Sequence, residues 1–170
     1  MQHEPHWTLA LRALLNHVRV AALGSLQADG SPFVSMVPFA LEPEEGHVVI
    51  HVSALAPHTA NMERCAQVSL LIMQAEREGE PVHALPRVSL EGTAHRLTPQ
   101  TAAWALARSA YLARFPEAEP MTQLGDFRFV QIRVTAARQV AGFGAARALD
   151  AEQLSAVLRP RPGPATPAAN

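Results

Sequence analysis

A short segment around a proline carries the residue types in this chain that are best suited to chemistry. Ser53 ends an apolar run, and Pro57 is followed directly by His58, Thr59 and, after one residue, Asn61. Proline is favoured at the first position of a helix, because its fixed φ suits the helix and its missing N–H is not needed there. The unpaired N–H groups and the positive end of the dipole let a helix start bind anions, phosphate above all. The same residue types are also typical of an ordinary helix cap with a solvated histidine.

Length and composition fit a single globular domain of ordinary charge. The chain has 170 residues, 48% of them hydrophobic, and a net charge of −1. A packed core is therefore expected, and nucleic acid is not expected as a partner. The basic residues are all arginine, since the sequence contains no lysine. This excludes a Schiff-base lysine and a Walker lysine, so any side-chain anion clamp must be arginine or histidine.

Cysteine usage and hydropathy bear on the compartment. Cys65 is the sole cysteine, so no intrachain disulfide can form and a reducing compartment is expected. No apolar run approaches the roughly 20 residues that cross a membrane. The N-terminus also lacks the basic-then-apolar order of a signal peptide. We therefore expect a cytoplasmic protein with no membrane partner.

Several motifs for enzyme chemistry are absent or incomplete. Gly142 and Gly144 resemble the start of a dinucleotide-binding fingerprint, but Arg147 stands in place of the third glycine and too little chain follows for a βαβ unit. The eight histidines show no HExxH or other zinc spacing, so no metal site is predicted. The nucleophile elbow of hydrolases, GxSxG, is missing as well. The sequence therefore identifies no catalytic acid, base or nucleophile.

Hydrophobic periodicity predicts a mainly β protein with a few helices. Strands are predicted over residues 20–26, 33–41, 47–52, 68–75, 87–97 and 127–140. Besides the short helix after Pro57, helices are predicted over 7–18, from Thr98 as N-cap with Pro99 at the first position through Phe115, and over 150–158. Most strand connections are hairpin-like, which predicts a closed or nearly closed antiparallel barrel with helices on its outside.

One strand contains a proline, and the end of the chain is rich in proline. Pro38 cannot donate to a β-ladder, so its strand is predicted to lie at an edge or to bulge there, leaving backbone groups free for a ligand. Residues 1–158 are expected to form one domain that includes the N-terminal helix. Residues 159–170 have too little apolar content to pack and are expected to form a disordered tail.

Several short stretches, taken together in their order along the chain, resemble a known family. Over residues 19–147 the chain resembles the pyridoxamine 5′-phosphate oxidase-like FMN-binding split barrel family. The stretches in its first half are Asp29-Gly30-Ser31-Pro32, residues 35–40, Ser53, residues 58–61 and residues 86–92. Residues 111–116, Gly125-Asp126-Phe127 and Gly142-Phe143-Gly144 continue the match and resemble the haem-utilisation branch of that family.

The resemblance implies a fold, a cofactor and a partner. It implies a six-stranded antiparallel Greek-key split barrel and a homodimer with FMN in a cleft at the subunit interface. The expected function is that of an FMN-dependent oxidoreductase acting on a small, unidentified substrate. Residues 35–39 would run along the flavin ring, and Ser53, His58 and Thr59 would hold the phosphate. Asn61 would brace the loop that carries these three residues, and Arg87 would approach the flavin or its phosphate. The cofactor-binding residues expected on this basis are Ser35, Met36, Val37, Pro38, Phe39, Ser53, His58, Thr59, Asn61 and Arg87.

Two departures from the family pattern leave other functions open. Ser35 and Ala40 stand where the oxidase has a basic pair, which weakens the phosphate clamp and argues against vitamin B6 oxidation. Haem-degrading relatives use a histidine near the C-terminus as iron ligand, whereas no histidine follows His95 here. The alternatives are a haem-binding or haem-degrading protein, and a non-catalytic flavin carrier or cofactor-free dimeric module.

Overall fold

The computed structural model describes residues 5–142 and 144–159. This part of the chain contains the strands β1 Val20–Leu26, β2 Pro32–Glu42, β3 His47–Ser53, β4 Gln67–Met73, β5 Arg87–Arg96, β6 Phe127–Val140 and β7 Ala146–Leu149. Its α-helices are α1 His6–His17, α2 Pro57–Arg64, α3 Ala102–Arg114 and α4 Ala151–Leu158, and two 3₁₀ helices span Val82–Ala84 and Pro116–Gln123. None of these helices is long and apolar enough to cross a membrane.

Six of the strands close into an antiparallel barrel. Neighbouring strands follow the order β3-β2-β1-β4-β5-β6, and β3 pairs with β6 to complete the ring. Strand β7 pairs with β6 and extends the sheet beyond the ring. The β1–β2 hairpin turns at Gly30, whose φ of 83° is a conformation that favours glycine. The predicted split-barrel architecture with flanking helices is confirmed, and β7 is an addition.

Pro38 lies where β2 changes its partner. Over Pro32 to Pro38 strand β2 pairs with β1, and from Phe39 onward it pairs with β3, where Phe39 is opposite Ile50. As a whole β2 is not an edge strand, because it lies between β1 and β3, but up to Pro38 it pairs with β1 alone and its other side is locally an edge. The proline is tolerated there because one ladder ends at its register partner, Val20, and the next begins one residue later.

Two hydrophobic clusters hold the fold together. The barrel interior is filled by alternate residues of each strand, and on β5 these are Val88, Leu90, Gly92 and Ala94. Helices α1 and α4 pack against this cluster, and Met62 of α2 belongs to it. The second cluster lies between the barrel wall and α3 and consists of Ala40, Val49, Ala107, Tyr111, Phe115, Ala118 and Phe129.

The start of α3 differs from the prediction. The helix begins at Ala102, and its cap is Thr101, whose Oγ1 accepts a hydrogen bond from the Trp104 backbone N–H at 3.3 Å. Gln100 has a φ of 67°, which is incompatible with a helix that continues from Thr98 and Pro99. The predicted start of the helix is wrong because Thr98 and Thr101 have the same capping chemistry, and the helix is capped by the second of them.

The C-terminal part of the chain holds an unpredicted strand. Strand β7 has four residues, too few for a clear periodicity. The expected disordered tail over 159–170 lies outside the described residues except for Arg159, whose guanidinium donates to the carbonyl of Glu45. Phe143, between two glycines of the family-like stretch, also lies outside them.

Candidate functional site

An open apolar groove runs along the outer face of β1, and we call it the β1 groove. Ala22 of β1 forms its floor, with Met36 of β2 opposite it on one side and Leu71 of β4 on the other. Val34 and Met73 extend the two walls. The groove has a volume of about 420 Å³, and the residues that line it are Val18, Val20, Ala21, Ala22, Val34, Ser35, Met36, Leu71 and Met73. None of these side chains carries a charge.

The groove follows from strands that are apolar on both faces. On β4, Val68, Leu70 and Ile72 point into the barrel, while Leu71 and Met73 remain exposed on the outer face. Val34 is 67% exposed and Met36 is 65% exposed. Large apolar patches are rare on soluble monomers unless they bind something. The outer face of these strands is therefore an apolar surface of the kind that binds a ligand or a partner.

A glycine on β1 makes room for the side chain of its register partner on β4. A Cβ added to Gly24 would lie 2.7 Å from the Ser69 hydroxyl oxygen, well inside van der Waals contact. Ala22 lies two residues before Gly24 on the same face. The side chains on the outer face of β1 are therefore smaller there than those of the neighbouring strands. Small residues on the floor and long residues on both walls make this face concave, a shape that suits a flat ligand.

The segment from Ser53 to Asn61 makes its hydrogen bonds within the chain. Thr59 Oγ1 donates to the Ser53 carbonyl at 2.6 Å, and the Ser53 hydroxyl donates to Asp126 Oδ2 at 3.2 Å. The Leu55 backbone N–H donates in turn to the Ser53 hydroxyl oxygen at 3.2 Å. These bonds brace the start of α2, and they place a carboxylate beside Ser53, where an anion would meet repulsion.

Asn61 lies apart from this network. Its Nδ2 donates to the hydroxyl of buried Ser25 at 3.1 Å. This bond fixes the middle of α2 to the inner face of β1 at one end of the barrel. A buried amide needs such a partner, because an unpaired one costs about 1–3 kcal/mol. Asn61 thus anchors α2 to β1, and its expected role in bracing the phosphate loop stays a prediction.

His58 connects α2 with the groove strand β2. Its Nδ1 lies 3.1 Å from the hydroxyl oxygen of Ser35, which lines the β1 groove. Its Nε2 is buried and has no hydrogen-bond partner among the described residues. Burial lowers the pKa of His58, which favours the neutral imidazole. One ring nitrogen is thus oriented by Ser35, and the other has no partner among the described residues.

The remaining predicted residues divide between the groove wall and the core. Val37 and Phe39 are 2% and 0% exposed and point into the barrel, so only Ser35 and Met36 of that stretch line the groove. Arg87 is the register partner of Met73 on the groove wall. Its Nη1 donates to the carbonyls of Leu85 at 2.9 Å and of His83 at 3.4 Å. The fold thus brings together Ser35, Met36 and His58.

Comparison with known families decides the relationship. The family described as pyridoxamine 5′-phosphate oxidase matches residues 8–141, most of the chain. The chain belongs to the pyridoxamine 5′-phosphate oxidase family. The match includes every strand of the closed barrel and both sides of the β1 groove. The predicted resemblance is confirmed.

Relatives of this family member have names that refer to haem. It is 29% identical to the haem oxygenase HutZ of Vibrio cholerae over 133 residues, 78% of this chain and 74% of that protein. It is 36% identical to the chloroplastic non-canonical haem oxygenase HOZ of Arabidopsis thaliana, over 72% of this chain and 36% of that protein. A haem-binding protein of Mycobacterium smegmatis superposes with a TM-score of 0.79 at 29% identity, covering 91% of this chain and 62% of that one. The chain thus spans only part of the last two proteins.

The cofactor-binding residues predicted from the sequence include only two of the nine residues that line the groove, Ser35 and Met36. The sequence predicts a strand over residues 68–75 and assigns Leu71 and Met73 no role, although apolar residues at both odd and even positions are typical of a strand that is covered on both faces. Asp126 was noted only as part of a motif. Its contact with Ser53 joins residues 73 positions apart, a distance at which periodicity carries no information.

Proposed function

We propose that this protein binds haem in the β1 groove and acts as a haem-degrading enzyme. The observation that carries the proposal is the groove itself, which is apolar, uncharged and open along one side. A porphyrin ring is flat and apolar, so its binding removes from water the exposed side chains of the groove walls. The haem-related names of the family members above support the same ligand.

The residues that line the groove fit the body of a haem better than its iron. Val34 and Met36 would hold one side of the ring, and Leu71 and Met73 the other. The side chains of the groove that carry a donor atom for a metal are Met36, Met73 and Ser35, and the last of these is hydrogen-bonded to the His58 ring. When bound, haem supplies redox chemistry at its iron. The chain's own part is to orient the ring and to keep water from it.

We further propose that a second copy of this chain closes the groove. A one-sided groove leaves a bound ring open to water, and a wall is needed to exclude it. The exposed apolar side chains on this face, Val20, Leu26, Val34, Met36, Leu71 and Met73, are 37–67% exposed. A homodimer through this face would cover them and complete the site, and its mass in solution measured by sedimentation tests this.

A titration with haemin tests the groove. Met36→Gln keeps the side-chain length and removes apolar character, so haemin affinity should fall by about tenfold, equivalent to about 1.4 kcal/mol. The matched control is Met121→Gln, because Met121 is exposed outside the groove. The readout is the Soret absorbance during titration, with the mass of each variant measured alongside. Equal haemin affinity for both variants and wild type would place haem elsewhere.

A second candidate is an FMN-dependent oxidoreductase acting on a small substrate. It is favoured by His58, whose unpartnered Nε2 lies in the first turn of α2, where the helix dipole attracts an anion. The Asp126 carboxylate beside Ser53 opposes it, because it repels a phosphate. The flavin would carry the electrons, and Ser35 and Met36 would contact its ring.

Two substitutions test the FMN candidate. His58→Ala and Arg87→Ala should each weaken FMN binding by about 1–3 kcal/mol, the range for losing a hydrogen bond to a charged group. Arg138→Ala is the matched control, since Arg138 is an exposed arginine on β6 outside the groove. Flavin fluorescence quenching gives the affinities. Wild-type affinity in both test variants would mean that the phosphate is not held at this helix start.

A further inference from the structure

The end of the barrel under α2 contains a small cavity that the proposed function does not use. It lies between α2 and the ends of β5 and β6, and it measures about 40 Å³. Its lining is Thr59, Met62, Glu63, Ala94, Arg96, Arg128 and Val130. At about 10–15 Å³ for each water-sized atom, the cavity has room for about three or four non-hydrogen atoms.

Two arginines reach this cavity from inward-facing strand positions. On β5 the buried, inward residues alternate up to Ala94, and Arg96 is the next position on that face. On β6 Val130 and Ile132 are buried, and Arg128 precedes them on the same face. Charged residues at interior positions are unusual in a small barrel. The mouth of a barrel is also a common place for a ligand.

Arg128 presents an unused edge. Its Nη1 donates to the Gly125 carbonyl at 3.0 Å. Its Nε is buried and has no partner among residues 5–142 and 144–159. The bond from Nη1 leaves the opposite edge of the guanidinium, formed by Nε and Nη2, for a planar acceptor. Two parallel N–H groups on that edge match the two oxygens of a carboxylate.

The other charges at the cavity leave it positive. Arg96 Nη1 lies 3.5 Å from Glu63 Oε1, and both side chains are about half exposed, at 53% and 52%. Such an exposed pair contributes little and is easily rearranged. Two arginines and one glutamate therefore line the cavity, whereas Met62, Ala94 and Val130 provide its apolar wall. This surrounding suits one negative charge on a small planar group.

We propose that the cavity binds a small carboxylate of the size of formate or acetate. Arg128 holds both oxygens through its Nε and Nη2, Arg96 turns from Glu63 to neutralise the charge, and the apolar wall receives the hydrogen or methyl. The Thr59 hydroxyl is already bonded to the Ser53 carbonyl and takes no part. The site shares no lining residue with the β1 groove, so it stands independently of the proposed haem site.

Acetate titration of the full chain tests the site by NMR. The Nε–Hε group of each arginine gives its own correlation, and the Arg128 signal should shift in a saturable way with acetate, while chloride at equal ionic strength leaves it in place. Arg96→Met should weaken acetate binding about tenfold, because one of two charge-assisted partners is lost. Glu63→Gln should strengthen binding, since it removes the competing carboxylate.

Controls separate this site from general charge effects. Arg138→Met removes an arginine from β6 outside the cavity and should leave acetate affinity unchanged. A shift of the Arg128 signal that does not saturate, or one that chloride reproduces, would overturn the proposal. Tighter binding of phosphate than of acetate would overturn the choice of a carboxylate. Because wild type is measured directly, the result does not depend on how any variant folds.

Discussion

Acidification from about pH 7 to about pH 4 is expected to destabilise the fold by about 3 kcal/mol through His51 alone. His51 is 7% exposed on β3, under α3. Its ring centroid lies 4.4 Å from that of Phe129, 5.0 Å from that of Phe127 and 5.6 Å from that of Tyr111. Its Nδ1 has no hydrogen-bond partner among the described residues. An imidazolium in this aromatic surrounding would be poorly solvated.

The direction of the effect follows from the pKa of His51. Burial lowers this pKa from 6.5 to about 4, so between these values the unfolded chain binds a proton that the folded chain does not. Stability is therefore complete above pH 6.5 and falls as the pH decreases toward 4. The pKa values of His47 and His58 are also lowered, mainly by burial, and they add to the loss in the same direction.

Urea denaturation at several pH values measures this effect. His51→Phe keeps an aromatic ring that has no charge to acquire, so its free energy of unfolding should fall much less than that of wild type between pH 6.5 and pH 4. At neutral pH the substitution should change stability by less than about 1.5 kcal/mol. His17→Gln is the matched control, because His17 is exposed at the end of α1. The same steep loss in His51→Phe as in wild type would exclude His51 as the cause.

Local patterns in the sequence predicted the barrel, whereas contacts between distant segments decided the site. Alternation identified the strands, and β6 has the predicted bounds, because each strand has one inner face. The same alternation does not predict whether the outer face of β4 is exposed, since that depends on how β1 and β2 are placed beside it. The sequence likewise assigns His51 no role beyond its strand, because its aromatic neighbours come from α3 and β6.

The start of α2 contains one feature that the sequence predicts and one that it does not. Pro57 was correctly placed at the beginning of α2 from its own backbone chemistry. The hydrogen bond of His58 with Ser35 joins residues on different elements, and no rule of spacing predicts it. The family resemblance placed both segments at one cofactor site, but it predicted no contact between Ser35 and His58.

Arg114 joins three parts of the fold, and its removal is expected to have the other large effect. Its Nη2 donates to the carbonyls of Leu15 at 2.9 Å, Asn16 at 3.2 Å and Val18 at 2.5 Å. These are carbonyls at the end of α1, where the helix leaves its last acceptors unpaired. The guanidinium also lies over the ring of Phe39, 4.8 Å from its centre. One side chain of α3 thus fixes the end of α1 against β2.

Arg114→Met is expected to reduce the free energy of unfolding by about 3 kcal/mol, because partly buried carbonyls lose a charged donor. Arg108→Met is the control on the same helix. Arg108 makes an exposed ion pair with Glu119 at 3.5 Å, which contributes at most about 1 kcal/mol. Urea denaturation of both variants measures their free energies of unfolding. An equal decrease in the two variants would show that the three hydrogen bonds of Arg114 stabilise the fold no more than the ion pair of Arg108.

The same variant connects stability with the groove. Val18 follows α1 directly and lines the β1 groove together with Val20, so loosening the end of α1 frees one end of the groove wall. If haem binds in the groove, Arg114→Met should weaken haemin binding even at low temperature, where the protein remains folded, whereas Arg108→Met should not. Unchanged haemin affinity in a folded Arg114→Met protein would mean that this end of the groove does not contact the ligand.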